Sequence, residues 1–339
     1  MTKVDVGGEI VVPPRRRLRV SPPLAWITVT PFALWAVARL AGLDATGVGV
    51  ALMTGTPYVA AASVVAVLAA LSSRRWTVIA TAVATTAALA AVVLPRAVGS
   101  APTAATATTT TAATGPTLRI LTANLFYGVG DAEALVGLVR TLDPDVLTTQ
   151  ELTPVAVEAL DNAGLGRLLP YRHLEDGPGA SGSGIYSRHP LIRLPDFAPE
   201  GSHRMPRARI ALPSGPPVEI VDVHTLSPVE HDVALWAADL AALPSASPGV
   251  VRVLAGDFNA SLDHAALRAV LARGYVDAAG ATGNGLAATW PANRRFPALI
   301  TIDHVLYDRR AAAVDTGVHT VPESDHRAFF AELRLPARL

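Results

Sequence analysis

The sequence predicts a membrane anchor of three transmembrane helices followed by an α/β domain with a buried sheet. Two observations lead there: the apolar excess lies before residue 100, and the remainder alternates short apolar strands with helical stretches. Half of the 339 residues are apolar and only 17% are charged, whereas soluble domains usually carry about 25% charged residues. The apolar content excludes a disordered chain. The absence of cysteine excludes a disulfide scaffold, thiol catalysis and Cys-based metal sites.

Three apolar stretches carry the membrane prediction. They cover residues 24–43, 48–71 and 76–94, and their only charged residue is Arg39, near one end of the first stretch. A helix of about 20 residues crosses the hydrocarbon core of a bilayer. The alternative, a signal peptide followed by core helices, would give one short apolar stretch and a cleavage site. We therefore predict a three-helix anchor at 23–95.

The flanking charges predict the orientation of these spans. The segment 1–22 carries four arginines just before the first span, and Arg74 and Arg75 separate the second from the third. The connection between the first two spans carries only Asp44. The positive-inside rule then makes 1–22 cytoplasmic and places everything after the third span outside. Arg96 is a single positive charge on the outer side. The prediction is a multi-pass protein of the cell membrane with an extracytoplasmic second domain.

Residues 96–115 are rich in Ala and Thr and contain no large core-forming run, which predicts a flexible linker. The second domain, 116–339, has 19 arginines, no lysine and 25 acidic residues, a net charge of −6. Its apolar pattern predicts a helix at 132–142, capped by Asp131, and another helix between 224 and 250. Predicted strands cover 117–125, 146–149, 218–224, 250–255, 302–307 and 328–335, the last two being read as the final pair.

Polar side chains interrupt this pattern where strands end. A single Asn or Asp there is usually a turn or cap residue, but six such places in one domain are harder to explain this way. Strand ends are where α/β folds gather chemistry. Together these side chains could hold a hard divalent cation through oxygen ligands and supply acid–base groups. They are Asn124, Gln150, Glu151, His224, Asp257, Asn259, Asp303, His304, Asp325 and His326.

Eight segments of the second domain resemble, in order, the motifs of the endonuclease/exonuclease/phosphatase superfamily. The resemblance covers essentially all of 116–339 and none of the membrane part. It implies a four-layer α/β sandwich, in which two mixed sheets pack face to face with helices outside. It also implies Mg²⁺- or Mn²⁺-dependent hydrolysis of phosphate esters. The segments are LTANLF (121–126), QE (150–151), GSGIYSRHPL (182–191), VDVHT (221–225), GDFNAS (256–261), TWP (289–291), IDHVL (302–306) and SDH (324–326).

The resemblance also assigns roles to these residues. Glu151 is expected to be the main metal ligand, with Asn124 and Asp325 close to the ion. Asp257 is expected to orient or deprotonate the attacking water. The other expected catalytic residues are Asn259, which holds the water and a phosphate oxygen, His326, which contacts the phosphate in its charged form, Asp303, its carboxylate partner, and His224, a second phosphate-side histidine or leaving-group acid.

The sequence leaves the roles of two further residues undecided. Arg188 could contact the substrate phosphate, or it could brace the turn in YSRHP. Trp290 is expected to pack under the site rather than stack on the substrate.

The substrate is also open. The expected partner is a phosphate ester in a lipid head group, a nucleotide or a nucleic acid, and the expected anchor is the bilayer itself. The acidic balance weighs modestly against duplex DNA, whose affinity for proteins comes mainly from Lys and Arg. We therefore rank a membrane-anchored phosphodiesterase first and a surface nuclease acting on extracellular DNA second. An inactive binding module comes last, because no position of the motif set is lost.

Overall fold

The computed structural model describes residues 21–99, 113–230 and 232–339. The predicted cytoplasmic segment 1–22 and the predicted linker 96–115 lie largely outside these residues. Among the described residues, three helices are long and apolar enough to cross a membrane. Each packs against the other two. They are α1 (Pro22–Ala41), α3 (Thr56–Ser73) and α4 (Trp76–Val98).

The second predicted span, 48–71, is wrong in its first third, because the structure divides it into two helices. A short helix, α2 (Gly47–Met53), begins at the cap Thr46, whose side chain accepts a hydrogen bond from Gly49 N–H. The chain turns at Gly55, and α3 starts with Pro57 in its first turn, a position where proline favours a new helix. The connection between α1 and α3 is therefore a structured segment, 42–55.

Residues 117–334 form the predicted four-layer sandwich. The described strands make two six-stranded sheets, with orders β11-β12-β1-β2-β4-β3 and β5-β6-β7-β8-β10-β9. Both sheets are mixed, because β1–β2 and β7–β8 are parallel and the other pairs are antiparallel. The strands are β1 (Thr117–Asn124), β2 (Val146–Gln150), β3 (Tyr171–Glu175), β4 (Ser183–Ser187), β5 (Leu191–Arg193), β6 (Arg207–Ile210), β7 (Val218–His224), β8 (Val251–Asp257), β9 (Tyr275–Asp277), β10 (Asp303–Asp308), β11 (Ala312–Thr320) and β12 (Arg327–Arg334).

Helices cover the outer face of each sheet. The first sheet packs on α5–α7, and the second packs on α8 and α9. The predicted helix 132–142 is confirmed as α5, and Asp131 caps it by accepting a hydrogen bond from Ala134 N–H. The helices are α5 (Ala132–Leu142), α6 (Pro154–Asn162), α7 (Leu165–Leu168), α8 (Val233–Ala242), α9 (Ala265–Ala272) and α10 (Ala278–Thr282).

Alternation along each strand builds the core. In β1, Leu118 and Ile120 enter the core between the sheets, whereas Leu121 and Ala123 pack under the outer helices. Neighbouring side chains of a strand point to opposite faces, so an unbroken apolar run is expected when both faces are buried. This is why the central strands could be read from the sequence.

The expectation that 302–307 and 328–335 are the last two strands is wrong. A further strand, β11, lies between them in the sequence and forms one edge of the first sheet. Its sequence, AAVDTGVHT, is only partly buried and includes the exposed Asp315. An edge strand with a solvated face needs no continuous apolar run, so this element gave no clear sequence signal.

An ion cluster joins the second domain to the apolar N-terminal helices. Arg39, near the end of α1, and Arg96, near the end of α4, both donate to the carboxylate of Asp263. The distances are 2.6 Å from Arg39 Nε and 2.8 and 2.6 Å from the two Arg96 nitrogens. Asp263 is only 1% exposed. We call these three residues the Asp263 cluster. Since both arginines reach one carboxylate, α1 and α4 both end next to the second domain.

The connection 42–55 also packs on the domain. Asp44 accepts a hydrogen bond from Ala265 N–H at the start of α9, at 2.8 Å. The carbonyl of Val50 lies 2.8 Å from His264 Nε2, and the Val50 side chain is buried with Trp236 and Phe258. The anchor therefore contributes to the core of the second domain.

Candidate active site

Strand register brings the predicted site residues together. In the second sheet, His224 of β7 is paired with Asp257 of β8, and Asp257 is paired with Asp303 of β10. In the first sheet, Asn124 is paired with Gln150. Gly256 permits the β7–β8 approach, because its φ is +152° and a Cβ there would lie 2.0 Å from Val223 O. The site thus lies at the carboxyl ends of the parallel strands.

His326 lies between two buried carboxylates. Its Nδ1 is 2.9 and 3.1 Å from the oxygens of Asp303, and its Nε2 is 3.6 Å from Asp257. Burial lowers the pKa of His326, but the charges of Asp303 and Asp257 outweigh this and raise it to about 10. Burial, opposed by the charge of His326, raises the pKa of Asp257 to about 7. A charged imidazolium therefore lies beside a carboxyl group that can exchange a proton near neutral pH.

Asn124 connects Glu151 to Asp257. Its amide donates to Glu151 Oε1 at 3.0 Å and to Asp257 Oδ2 at 3.1 Å. The other Glu151 oxygen accepts from Tyr127 N–H at 2.6 Å. Burial raises the pKa of Glu151, although these two hydrogen bonds lower it in part. Glu151 has φ +55°, a left-handed conformation that is costly for a residue with a side chain and that is often found at functional sites.

Asp325 carries a buried oxygen that no hydrogen bond satisfies among the described residues. This is Oδ1, whereas Oδ2 accepts from Trp290 Nε1 at 3.0 Å. The Trp290 ring thus holds a site carboxylate as well as packing beside the cavity. This oxygen lies 3.9 Å from His326 Nε2, beyond hydrogen-bond distance. A buried carboxylate oxygen without a hydrogen bond is costly, and together with the Glu151 carboxylate it fits a hard divalent cation, which prefers oxygen ligands.

A second set of ligand atoms lies close together: one each from Asp257, Asp303 and His326, within 4.8 Å of one another. The His326 ring, however, is held in its charged form by these carboxylates. An imidazolium has no free lone pair for a metal. We therefore read this set as a charge-paired triad, and Glu151, Asn124 and Asp325 stay the expected metal ligands.

His224 and Asn259 complete the polar surface. Burial lowers the pKa of His224 well below its usual value, and the charges of His203 and His326 lower it further. His224 is therefore neutral, and its ring lies 4.2 Å from that of His203. Asn259 donates its backbone N–H to Asp257 and its side-chain amide to Thr225 O, at 2.8 and 3.0 Å. Its φ is +46°, which makes it a second strained residue at the site.

Arg188 does not join the others. It follows β4 at the end where Ser187 pairs with Val146, whereas the site end of β4 is at Ser183. Five residues of strand separate the two ends, which is about 16 Å. The Arg188 guanidinium bonds to Asp143 and to Pro144 O instead. Of the two alternatives, the structure favours the one in which Arg188 braces the turn.

These residues surround a cavity of about 290 Å³. The site carboxylates and histidines line it. The other lining residues include Val50, Ala51 and Thr54 from the connection between α1 and α3, with Ile300 and Val229 from the second domain. The sequence did not predict that the connection between α1 and α3 lines the cavity. A sequence signal existed in the polar breaks at Thr46 and at 54–57, which end the apolar helix early.

Two supporting residues were also missed as site components. Asp222 is fully buried between the sheets, where it accepts from Gln150 Nε2 at 2.6 Å and from Gly184 N–H at 3.0 Å. Ser324 donates to Asn124 O at 2.7 Å and accepts from His326 N–H at 3.0 Å. Both lie inside motif segments, VDVH and SDH, but a sequence does not show which strand a buried polar group will face.

The sequence model of the Endonuclease/Exonuclease/phosphatase family matches residues 121–326. The chain belongs to this family. Its members are in general phosphoesterases and nucleases that depend on a divalent metal, and the acidic and histidine cluster described above lies within the matched segment. The segment begins at β1 and ends at His326, so it contains every predicted site residue. No curated protein sequence matches the chain.

Solved structures share the fold. A truncated TDP2 from Caenorhabditis elegans superposes with a TM-score of 0.52 and 17% identity, over 65% of this chain and 99% of the other. A humanized TDP2 from D. rerio gives 0.53 and 16%, over 64% and 98%. An AP endonuclease from Archaeoglobus fulgidus gives 0.51 and 17%, over 63% and 98%. At these identities the likeness establishes the four-layer fold alone.

Proposed function

We propose that this protein is a membrane-anchored phosphodiesterase that depends on Mg²⁺ or Mn²⁺ and has its catalytic domain outside the cytoplasm. One observation carries the proposal. In one cavity, Asp257 can exchange a proton near neutral pH and charged His326 lies beside it, while Glu151 and Asp325, whose Oδ1 accepts no hydrogen bond, line the same cavity. Phosphodiester hydrolysis needs a base for water and positive charge for the phosphate.

Glu151, Asn124 and Asp325 would hold the metal ion. When bound, it would stabilise the negative charge of the phosphate in the transition state and bring water to the phosphorus. The strained backbone at Glu151 supports this role, because such strain is kept where a side chain must be aimed. The hydrogen bond from Asn124 to Asp257 keeps the metal side and the proton-transfer side in fixed relation.

The other residues divide the remaining work. Asp257 accepts a proton from the attacking water, since general bases work best when their pKa is near the working pH. Asn259 positions the water and one phosphate oxygen. His326 stabilises the phosphate as an imidazolium, and Asp303 keeps its ring oriented and charged. Because His224 is neutral, we assign it a hydrogen bond to the phosphate rather than the role of a charged leaving-group acid.

Three features support the membrane part of the proposal. Three described helices have the length and hydropathy of membrane spans. The arginines that flank these helices are concentrated before α1 and between α3 and α4, and the positive-inside rule then places the catalytic domain outside. Arg96, which conflicts with that rule, is buried in an ion pair with Asp263 and is therefore not a free positive charge on the outer side.

The catalytic proposal is tested with the full chain in detergent or nanodiscs, using bis-p-nitrophenyl phosphate with Mg²⁺ or Mn²⁺. Asp257→Asn should lower kcat by about 10²- to 10⁴-fold, the usual contribution of a general base. The matched control is Asp315→Asn, the same change on the exposed edge strand β11, which should stay near the wild-type rate. Equal rates for the two variants would refute the role of Asp257.

The orientation is tested with single cysteines, because the chain has none. Asp315→Cys should react with a membrane-impermeant maleimide in intact cells. Ser73→Cys, at the end of α3, should react only after the membrane is opened. The opposite pattern would place the catalytic domain in the cytoplasm and leave the chemistry of the site unaffected.

A further inference from the structure

The position of the cavity relative to the anchor limits what can enter it. Thr54 lines the cavity and lies two residues before the start of α3. Two residues span at most about 7 Å, so this side of the cavity lies next to the end of a predicted membrane helix. Val50 and Ala51, one helical turn earlier, extend the same surface.

The surface next to these residues is apolar. In α2, Val48 and Leu52 are exposed, Val48 at 72%. Across the cavity mouth, Val229 is exposed and lines the same cavity with Pro228. Exposed apolar side chains that are grouped around a cavity mouth mark a binding surface more often than a solvated one.

A loop of the catalytic domain connects the cavity to the end of α3. Trp290 and Ile300 form a β-bridge and line the cavity. Leu299, inside the loop that they close, accepts a hydrogen bond from the Tyr58 hydroxyl in the first turn of α3, at 2.6 Å. The loop 291–299 is therefore held next to the first turn of α3.

The same loop has the composition of a membrane-surface segment. Phe296 is 74% exposed, and Arg294 and Arg295 beside it are exposed as well. An exposed aromatic residue next to arginines suits the boundary between acyl chains and anionic head groups. The position of Arg294 and Arg295 in the loop held by Tyr58 favours a bilayer surface over a polyanion groove.

The charges of the residues that line the cavity argue against a nucleic acid substrate. Among the described residues that line it, none is a lysine or arginine, and Glu230 adds a further negative charge at the mouth. Nucleic acids are bound mainly through Lys and Arg contacts to successive phosphates. A cavity lined by carboxylates and histidines together with apolar side chains suits a single phosphate attached to an apolar group.

We infer that the substrate is a membrane lipid phosphodiester, whose phosphate binds at the Asp257 end of the cavity while its apolar part lies against Val50, Ala51 and Val229. This rests on the proposed function. In the reaction the water oxygen bonds to phosphorus, Asp257 takes the water proton, and the P–O bond to the leaving group breaks. The leaving oxygen takes up a proton from solvent water and Asp257 returns its proton to solvent, so the products are a phosphomonoester and an alcohol, and one of them stays in the bilayer.

The test compares two substrates for the full chain in nanodiscs made from equal parts of phosphatidylglycerol and phosphatidylcholine. Lipid products are followed by mass spectrometry, and bis-p-nitrophenyl phosphate reports the chemistry alone. We expect Ala51→Glu to lower the ratio of lipid to soluble-diester kcat/KM at least about tenfold, because a charge on the apolar side opposes an acyl chain. Ala45→Glu, the same change at an exposed position of the connection 42–55 outside the cavity, should keep the ratio within about twofold.

A second pair guards against misfolding of the anchor variant. Val229→Glu makes the same change on the catalytic-domain side of the cavity and should lower the ratio as Ala51→Glu does. Its matched control is Ile192→Glu, an exposed residue of β5 outside the cavity. The soluble-diester rate shows that each variant is folded.

Each outcome has one meaning. Lipid turnover with both ratios lowered supports the inference. Turnover of the soluble diester without lipid turnover, or unchanged ratios in both cavity variants, would overturn the inference and leave the proposed function standing. Faster nicking of plasmid than lipid turnover would overturn it in favour of a nucleic acid substrate. Turnover of no phosphodiester at all would overturn the proposed function itself.

Discussion

Replacing Asp263 with Asn should detach the catalytic domain from the anchor. The Asp263 carboxylate accepts three hydrogen bonds of 2.6 to 2.8 Å from Arg39 and Arg96, and all three side chains are buried. Asn keeps the shape but leaves two buried guanidinium groups without a countercharge. Breaking a buried ion pair in this way costs about 3–5 kcal/mol, which is about two to four orders of magnitude in the docking equilibrium.

The assay separates docking from covalent attachment. A specific protease site inserted between residues 100 and 112 lets the chain be cut after purification in nanodiscs. The wild-type catalytic domain should stay with the disc after cutting, because the Asp263 cluster, Asp44 and Val50 still hold it. The Asp263→Asn domain should be released into solution, and size-exclusion chromatography measures the released fraction.

The control is Asp161→Asn, which breaks the exposed ion pair with Arg172. Exposed pairs contribute about 0–1 kcal/mol, so release should match the wild type. If Asp263→Asn also matched the wild type, the Asp263 cluster would not hold the domain, and the reasoning from buried charge would be refuted. Complete release of the wild-type domain after cutting would refute the docked arrangement as a whole.

Three further predictions concern the site and its attachment. Asp303→Asn should lower kcat for the soluble diester by about 10²-fold or more, because His326 loses the partner that orients and charges it. Docking should weaken only in acid: burial raises the pKa of Asp263, but the two arginines bring it below its usual value of about 3.9. The stabilisation is then full above pH ~4 and is lost as pH falls through the lower, folded pKa, which the release assay measures between pH 7 and 3. Arg188→Ala should change kcat less than about threefold, since its guanidinium lies in a half-exposed pair away from the cavity; a larger loss would restore a phosphate contact.

The central architecture could be read from the sequence because buried strands and amphipathic helices leave direct signals. The apolar runs of β1 and β7 follow from burial on both faces, and the helix 132–142 was marked by its cap at Asp131. The polar residues at strand ends could be recognised as a group because they break those runs. Their register, His224 beside Asp257 beside Asp303, then follows from the sheet.

The features that the sequence did not predict depend on contacts between residues far apart in the chain. Arg39 reads as a residue that snorkels to the membrane surface and Arg96 as an exception to the charge rule, until Asp263 pairs with both. Arg96 and Arg39 lie 167 and 224 positions from Asp263 in the chain, and no sequence pattern connects residues so far apart. Likewise, Arg188 belongs to a motif segment of the family, but its position at the far end of β4 separates it from the site.

The most direct test of the account is the metal dependence of hydrolysis. The rate with bis-p-nitrophenyl phosphate would be measured against Mg²⁺ and Mn²⁺ concentration for the wild type, Glu151→Gln and the control Glu158→Gln, which alters a carboxylate of α6 outside the cavity. We predict no wild-type activity after chelation, full recovery with either metal, and a half-activating concentration at least about tenfold higher for Glu151→Gln only. A chelated wild type that keeps its rate, or identical metal curves for all three proteins, would contradict a metal-dependent phosphodiesterase centred on Glu151.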